Sequence, residues 1–187
     1  MTLYARELSV SGAWEFTPSA FADDRGLFLE AYRSSDLEKA VGHPFDLAQI
    51  NCSVSNAGVL RGIHYTENPP GQAKYATCVR GAMLDVVVDL RPDSPTYRQW
   101  DSVLLDDVDR RAVYLGAGMG HAILSLEDNS TVVYLCSREY DPRLEREIDA
   151  LDPGLAIEWP TVGRDGRPLT LVRSPKDAAA AGIESLP

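Results

Sequence analysis

The sequence predicts an all-β fold, an antiparallel sandwich or barrel with a few short helices, and three observations carry that expectation. Most of the chain divides into short strand-like runs. These runs are closed by turn signals at Ser11-Gly12, Asn56-Ala57-Gly58, Pro69-Pro70-Gly71, Arg80-Gly81, Pro92-Asp93-Ser94-Pro95 and Gly116-Ala117-Gly118. Helix signals are few and short. At 187 residues, 44% hydrophobic and 25% charged, the chain buries one core of ordinary size, so residues 1–187 are expected to form one domain.

Taken in order, the first helix is expected over Asp36 to Val41, after Ser34-Ser35 and before Gly42. A strand follows over Val59 to Tyr65, where Gly62 has no side chain and leaves room for a ligand's close approach. Arg61 and His64 stand three residues apart on it, so regular alternation sends them to opposite faces. Only a bulge or bend brings both to one site. Lys74 opens the strand to Val79 after a Pro-Pro-Gly turn, a position where lysine is usually solvated. Buried instead, and paired with Asp85 on the neighbouring strand, it becomes a fixed cation able to stabilise an enolate.

In Met83 to Leu90 one face carries Leu84, Val86, Val88 and Leu90, and the other Met83, Asp85, Val87 and Asp89. The first is a core face. The mixed second face suits solvent, the commoner arrangement, and also the inside of a barrel that holds a polar ligand. In Thr131 to Ser137, Tyr134 shares a face with Val132 and Cys136, as a half-buried structural tyrosine or a functional phenol. A second helix is expected over Pro142 to Ile148 after Asp141, and a third from Ser174. There Pro175 in the first turn and Asp177 three residues after the serine resemble a capping box, so that alone Asp177 reads as a complement to the helix dipole. The chain has no internal repeat, and its one low-complexity stretch, Asp177 to Ala181, is helix-forming.

The net charge of -10 opposes attraction to nucleic acid or anionic membrane, so an anionic ligand must be held by a few local Arg and Lys residues. Cys52, Cys78 and Cys136 are odd in number and widely spaced, which fits reduced thiols in a cytoplasmic protein. The most apolar stretch, Leu84 to Leu90, is short and contains two aspartates, and the N-terminus shows no secretory pattern. Of the three histidines, His43 lies in a turn context, and His64 and His121 are not spaced as a metal pair, so no functional metal is expected.

Three distant segments remain: Leu60-Arg61-Gly62-Ile63-His64-Tyr65, Gly71-Gln72-Ala73-Lys74 and Ser174-Pro175-Lys176-Asp177. They offer a base, a cation and a carboxylate. An imidazole oriented by a carboxylate, beside an ammonium that stabilises a developing oxyanion, is equipment for removing a proton next to a carbonyl, which points to isomerisation rather than hydrolysis.

Together with Asp23-Asp24-Arg25-Gly26, Phe28, Glu30, Gln49, Asn51, Asp85 to Asp89, Gly120-His121, Tyr134, Tyr140 and Trp159-Pro160, these segments closely resemble the dTDP-4-dehydrorhamnose 3,5-epimerase family from about Ser9 to Ala180. The resemblance implies a cupin-type antiparallel jelly-roll barrel that acts without a cofactor on a dTDP-4-keto-6-deoxyhexose. By it His64 is the general base, Asp177 its orienting partner, Tyr134 the acid on the opposite face of the sugar, and Lys74, set by Asp85, the stabiliser of the enolate oxygen. It also places Arg25, Phe28, Glu30, Gln49, Asn51, Arg61, His121 and Tyr140 around the nucleotide sugar, with Tyr140 a stacking surface. A homodimer is implied, in which the early strand bearing Arg25, Phe28 and Glu30 reaches the partner's site.

The family's usual aromatic after Gly120-His121 appears here as Ala122-Ile123, and Pro69 to Tyr75 looks more like the branch serving antibiotic deoxysugars. Epimerisation at both C3 and C5 is the first reading; epimerisation at one of them is the nearest alternative, since the same residues serve both. A non-catalytic jelly-roll sugar-binding module would have no reason to keep base, acid and cation together.

Overall fold

A computed structural model describes residues 3–186. The strands are β1 Tyr4–Glu7, β2 Ala13–Thr17, β3 Ala20–Asp23, β4 Gly26–Leu29, β5 Gln49–Ser55, β6 Leu60–Thr66, β7 Lys74–Arg80, β8 Ala82–Asp89, β9 Trp100–Asp106, β10 Ala112–Leu115, β11 Met119–Ser125, β12 Ser130–Cys136 and β13 Glu145–Glu147. Two helices, α1 Ser34–Val41 and α2 Pro175–Ala178, complete the set with one 3₁₀ turn, Ile183–Ser185. The strands form a six-stranded sheet in the order β1-β2-β10-β7-β12-β5 and a five-stranded sheet in the order β13-β6-β11-β8-β9. Neighbouring strands are antiparallel throughout. This is the antiparallel jelly roll expected for the cupin type.

Three apolar clusters explain why central strands are buried on both faces. Val87, Met83, Ala76, Cys78, Ile123 and Val132 meet between the two sheets, inside the barrel. Outside the six-stranded sheet, Phe16, Tyr75, Tyr114 and Leu135 are covered by Leu37 of α1 and by Tyr32 and Phe45. Outside the five-stranded sheet, Leu60, Ile63, Val86, Val88, Ala122 and Leu124 lie under Ile148, Leu155 and Ile183 of the C-terminal wrap. Strand alternation therefore sorts each strand into an inner and an outer set.

The mixed face of β8 belongs to the inner set, because Met83 and Val87 pack inside the barrel and Asp85 and Asp89 are wholly buried. The solvent-facing alternative is thereby excluded. Asp89 is bound by Arg91, Ser94 and Thr96 of the next loop and plays a structural part.

A bulge in β6 answers the alternation problem posed by Arg61 and His64. Against β11, His64 pairs with His121 but Arg61 pairs with Ile123, so three steps on one strand match two on the other. Leu60 and Ile63 accordingly face the outer cluster, which leaves Arg61 and His64 facing inward together. Gly62 makes this conformation accessible: its φ is +112°, and a Cβ there would sit 2.5 Å from the His121 carbonyl oxygen.

Helix α1 forms where expected and ends at Gly42 in the left-handed conformation. At α2, Ser174 Oγ accepts a bond from the Asp177 amide at 3.0 Å, the serine half of a cap. The helix expected over Pro142 to Ile148 is absent. Asp141 instead folds back on Arg143, accepting from its amide at 3.0 Å, and residues Glu145–Glu147 run as β13 along the edge of β6. Seven residues gain little as a lone helix, whereas an open strand edge offers ready backbone partners.

Candidate active site

His64 and Asp177, 113 residues apart in the chain, meet because β6 and the first turn of α2 pack together. His64 Nε2 lies 2.6 Å from Asp177 Oδ1. The aspartate side chain is 5% exposed and the imidazole 36%, so the carboxylate is sealed while the ring is open to a ligand. The capping serine fixes the Asp177 backbone, which frees the carboxylate for the imidazole.

Tyr134 of β12 stands on the other sheet and lines the same cavity between the sheets as Arg61, His64 and His121. Its ring centroid is 6.4 Å from that of His121. Burial pushes its phenol above the ordinary value, with a hydrogen bond to Asn51 acting the other way.

Lys74 is 6% exposed, with Cys136 and Leu115 beside it on the adjoining strands, so the solvated reading does not hold. Burial lowers its ammonium pKa, opposed first by Glu145 and then by Cys136 and Asp85. Asp85 is not on a neighbouring strand. The order of the six-stranded sheet places β10 and β12 beside β7, while β8 belongs to the facing sheet, and Lys74 forms no ion pair among the described residues. The ionisable partner of Asp85 is His121, whose Nδ1 is 3.5 Å from Asp85 Oδ2, and neither carboxylate oxygen has a hydrogen-bond partner. Burial, followed by Lys74, pushes the His121 pKa down and favours the neutral ring.

Gln49 and Asn51 of β5 line neither the cavity nor the hollow outside it; they stand beside Tyr134 and its strand, Asn51 opposite Tyr134 and Gln49 opposite Cys136. Gln49 Nε2 donates to Asn51 Oδ1 at 2.7 Å, and the Tyr140 amide donates to Gln49 Oε1 at 2.8 Å. Arg61 Nε donates to Ser55 Oγ at 3.1 Å. Outside His64 a hollow of about 250 Å³ is lined by Arg61, Tyr140, Glu145, Lys176 and Asp177 among others. Tyr140 is 60% exposed there, with its ring available for stacking.

Arg25, Phe28 and Glu30 are not brought to this cavity within one chain. They belong to the β3–β4 hairpin, a separate two-stranded sheet, where Arg25 binds Asp23 at 2.5 Å and Glu30 reaches Arg33 at 3.4 Å. The lining residues not among those expected from the sequence are Ser53, Ser55, Met83, Ile123 and Val132 in the cavity and Glu145, Arg146, Ser174 and Lys176 in the hollow. Ser53 and Ser55 were within reach, since they continue the alternate positions of Gln49 and Asn51 on one strand. Among the described residues no group of three or more His, Cys, Asp or Glu side chains is gathered to hold a metal ion.

The family model described as dTDP-4-dehydrorhamnose 3,5-epimerase matches residues 7–185. A Mycobacterium tuberculosis dTDP-4-dehydrorhamnose 3,5-epimerase is 54% identical over 97% of this chain and 88% of its own. The structure of NovW, a 4-keto-6-deoxy sugar epimerase from the novobiocin cluster of Streptomyces spheroides, superposes with a TM-score of 0.91 at 50% identity, covering 99% of this chain and 89% of that one. ChmJ, a 3'-monoepimerase from Streptomyces bikiniensis solved with dTDP-quinovose, gives 0.86 at 49% identity over 96% of this chain and 87% of that one. An imidazole on one sheet paired with a helix carboxylate, a phenol on the other sheet, and matches of this length and identity lead to one assignment: the chain belongs to the dTDP-4-dehydrorhamnose 3,5-epimerase family and is a carbohydrate epimerase.

Proposed function

We propose that the protein epimerises dTDP-4-keto-6-deoxyglucose at C3 and C5. The His64–Asp177 pair at 2.6 Å, facing Tyr134 across the cavity, is the observation that carries this reading. His64 removes a proton from a carbon next to the C4 ketone, and Asp177 orients the ring and balances the imidazolium that forms. Lys74 stabilises the enolate oxygen. Tyr134, kept protonated by burial, returns a proton to the opposite face, which inverts the centre.

Neutral His121, with Asp85 behind it, offers the sugar a hydrogen bond. Arg61, Gln49, Asn51 and Tyr140 receive the nucleotide half, where Arg61 supplies local charge that a chain of net charge -10 otherwise lacks.

The hairpin β3–β4 supports a homodimer with exchanged strands. It exposes Phe21, Leu27 and Phe28 at 44%, 48% and 59%, and a two-stranded ribbon of this kind is marginal unless its apolar face is covered. Seated on a second copy, it would bring Arg25, Phe28 and Glu30 to the partner's cavity. Three free cysteines, two of them buried, fit a reducing cytoplasm, and no helix among the described residues is long and apolar enough to cross a membrane.

A second reading, inversion at a single carbon, is favoured by the similarity to ChmJ. Incubation with dTDP-4-keto-6-deoxyglucose in D₂O separates the two, because enolisation exchanges each attacked proton with solvent. Deuterium at C3 and C5 is expected. Deuterium at one carbon establishes the single-centre reading, and none above an enzyme-free control overturns epimerisation of this sugar.

A further inference from the structure

Residues Val172 to Ala181 form an arch that carries Asp177, with one foot at the start of β6 and the other just after β13. At the first foot Val172 bridges Val59 in parallel; its carbonyl accepts from the Leu60 amide and its own amide donates to the Gly58 carbonyl, each at 2.9 Å. At the second, Ala181 bridges Ile148 in parallel, and its carbonyl accepts from the Asp149 amide at 2.9 Å. Ile148 in turn exchanges two backbone bonds of 3.0 Å with Ile63, the residue before His64. Between the feet stands α2, a single turn that is too short to hold its place unaided.

Asp149 ties the two feet together. Its amide holds Ala181, and its carboxylate Oδ1 accepts from the guanidinium of Arg173, the first residue inside the other foot. The same oxygen accepts from the Leu151 amide at 2.9 Å, which fixes the carboxylate. This ion pair is sheltered, with the Arg173 side chain 18% exposed and that of Asp149 28%. A second ion pair on the arch, Lys176 to Glu147 at 2.8 Å, uses a lysine side chain that is 59% exposed, where water screens the attraction and a flexible chain gains little from being held.

We propose that Asp149, through Arg173, is a positioning residue for the base: it closes the arch from foot to foot and so holds the Asp177 carboxylate against His64. This rests on the proposed role of the His64–Asp177 pair. That contact, 2.6 Å long, joins the arch to β6, so any shift of the arch lengthens it. A displacement of about 1 Å in a reacting constellation can cost ~100-fold in rate. Neither Asp149 nor Arg173 lines the cavity or the hollow outside it, so their effect falls on the rate through Asp177 rather than on substrate binding.

Asp149→Asn keeps the oxygen that accepts from Leu151 and removes the charge that holds Arg173. In the full chain, kcat for deuterium wash-in is expected to fall about tenfold, with KM within about twofold of the wild type. Added to Asp177→Asn, the same change is expected to cost less than about threefold more, because a residue that acts through Asp177 then has nothing left to position. A kcat lowered less than about threefold in Asp149→Asn, a KM raised as much as kcat falls, or a larger further loss beside Asp177→Asn overturns the proposal.

Amide hydrogen exchange read by mass spectrometry needs no substrate. Peptides from residues 172–181 are expected to exchange about fivefold faster in Asp149→Asn, with those of β7 and β12 unchanged. An arch that loosens in a protein unable to epimerise the sugar separates this tie from the functional reading, and unchanged exchange in the arch overturns the tie itself. Arg173→Gln cuts the same pair from the other side and carries the same measurements if Asp149→Asn does not fold.

Discussion

Asp177→Asn removes one charge from the dyad while keeping the size of the side chain. The carboxylate oxygen is 2.6 Å from His64 Nε2. With charge centres about 4 Å apart, a carboxylate and an imidazolium attract by about 4 kcal/mol at an effective dielectric of ~20. The His64 side chain is 36% exposed, and water there screens roughly half of that, leaving about 2 kcal/mol. This energy acts only once the imidazole has taken the sugar's proton, so it belongs to the barrier rather than to ground-state binding. At 1.36 kcal/mol per decade, kcat is expected to fall about 30-fold, and further where the carboxamide selects the wrong imidazole tautomer. Deuterium wash-in at C3 and C5 measures the rate, and calorimetric binding of dTDP reports whether the site is intact. A kcat within about threefold of the wild type would refute a dyad role for Asp177. An equal loss of dTDP affinity would show instead that α2 had moved.

Asp89 predicts an acid limb of stability. Burial pushes its carboxyl up, but hydrogen bonds from Arg91, Ser94 and Thr96 bring it down to about 2, below the ordinary 3.8, so its contribution is full above pH 4 and is lost as pH falls toward 2. That contribution is about 2 kcal/mol, and urea melts between pH 5 and pH 2 are expected to show a flatter pH slope for Asp89→Asn; an unchanged slope counts against it. For the dimer, co-expressing an Arg25→Ala chain with a His64→Ala chain is expected to restore about a quarter of wild-type activity, since half the dimers are mixed and each carries one intact site of two. No recovery over either variant alone would mean that Arg25 serves its own chain.

Much of the site was legible because its chemistry sits in short motifs whose order survives any folding detail. The two-sheet architecture followed from turn spacing, and the bulge at Gly62 followed from the demand that Arg61 and His64 share a face. Local reading failed where partners come from far along the chain. Lys74 looks solvated beside its own turn, but β10 and β12 lie on either side of it and the facing sheet closes over it. The mixed face of β8 is ambiguous for the same reason, since alternation cannot say whether a second sheet covers it. Asp177 reads as a helix cap until His64 is placed 2.6 Å away. The segment after Asp141 carried helix signals that the open edge of β6 overruled, and reading it as a helix concealed Glu145.

The two-sheet barrel itself supplies what inversion of a carbon centre requires. An enolate is flat, and its configuration changes only if the proton leaves from one face and returns to the other. Two groups on the same strand face cannot bracket a ring, whereas groups on two facing sheets do so by construction. His64 belongs to the five-stranded sheet and Tyr134 to the six-stranded one, and both line one cavity. The cation must lie near the ring's edge, where the C4 oxygen projects, and Lys74 enters from the first residue of its strand, at the barrel's end rather than its middle. On the proposed mechanism, the number of inverted centres follows from how far the sugar can turn between His64 and Tyr134. On the proposed reading the same pair serves C3 and C5, so the apolar lining of Met83, Ile123 and Val132 is where the two outcomes are expected to diverge.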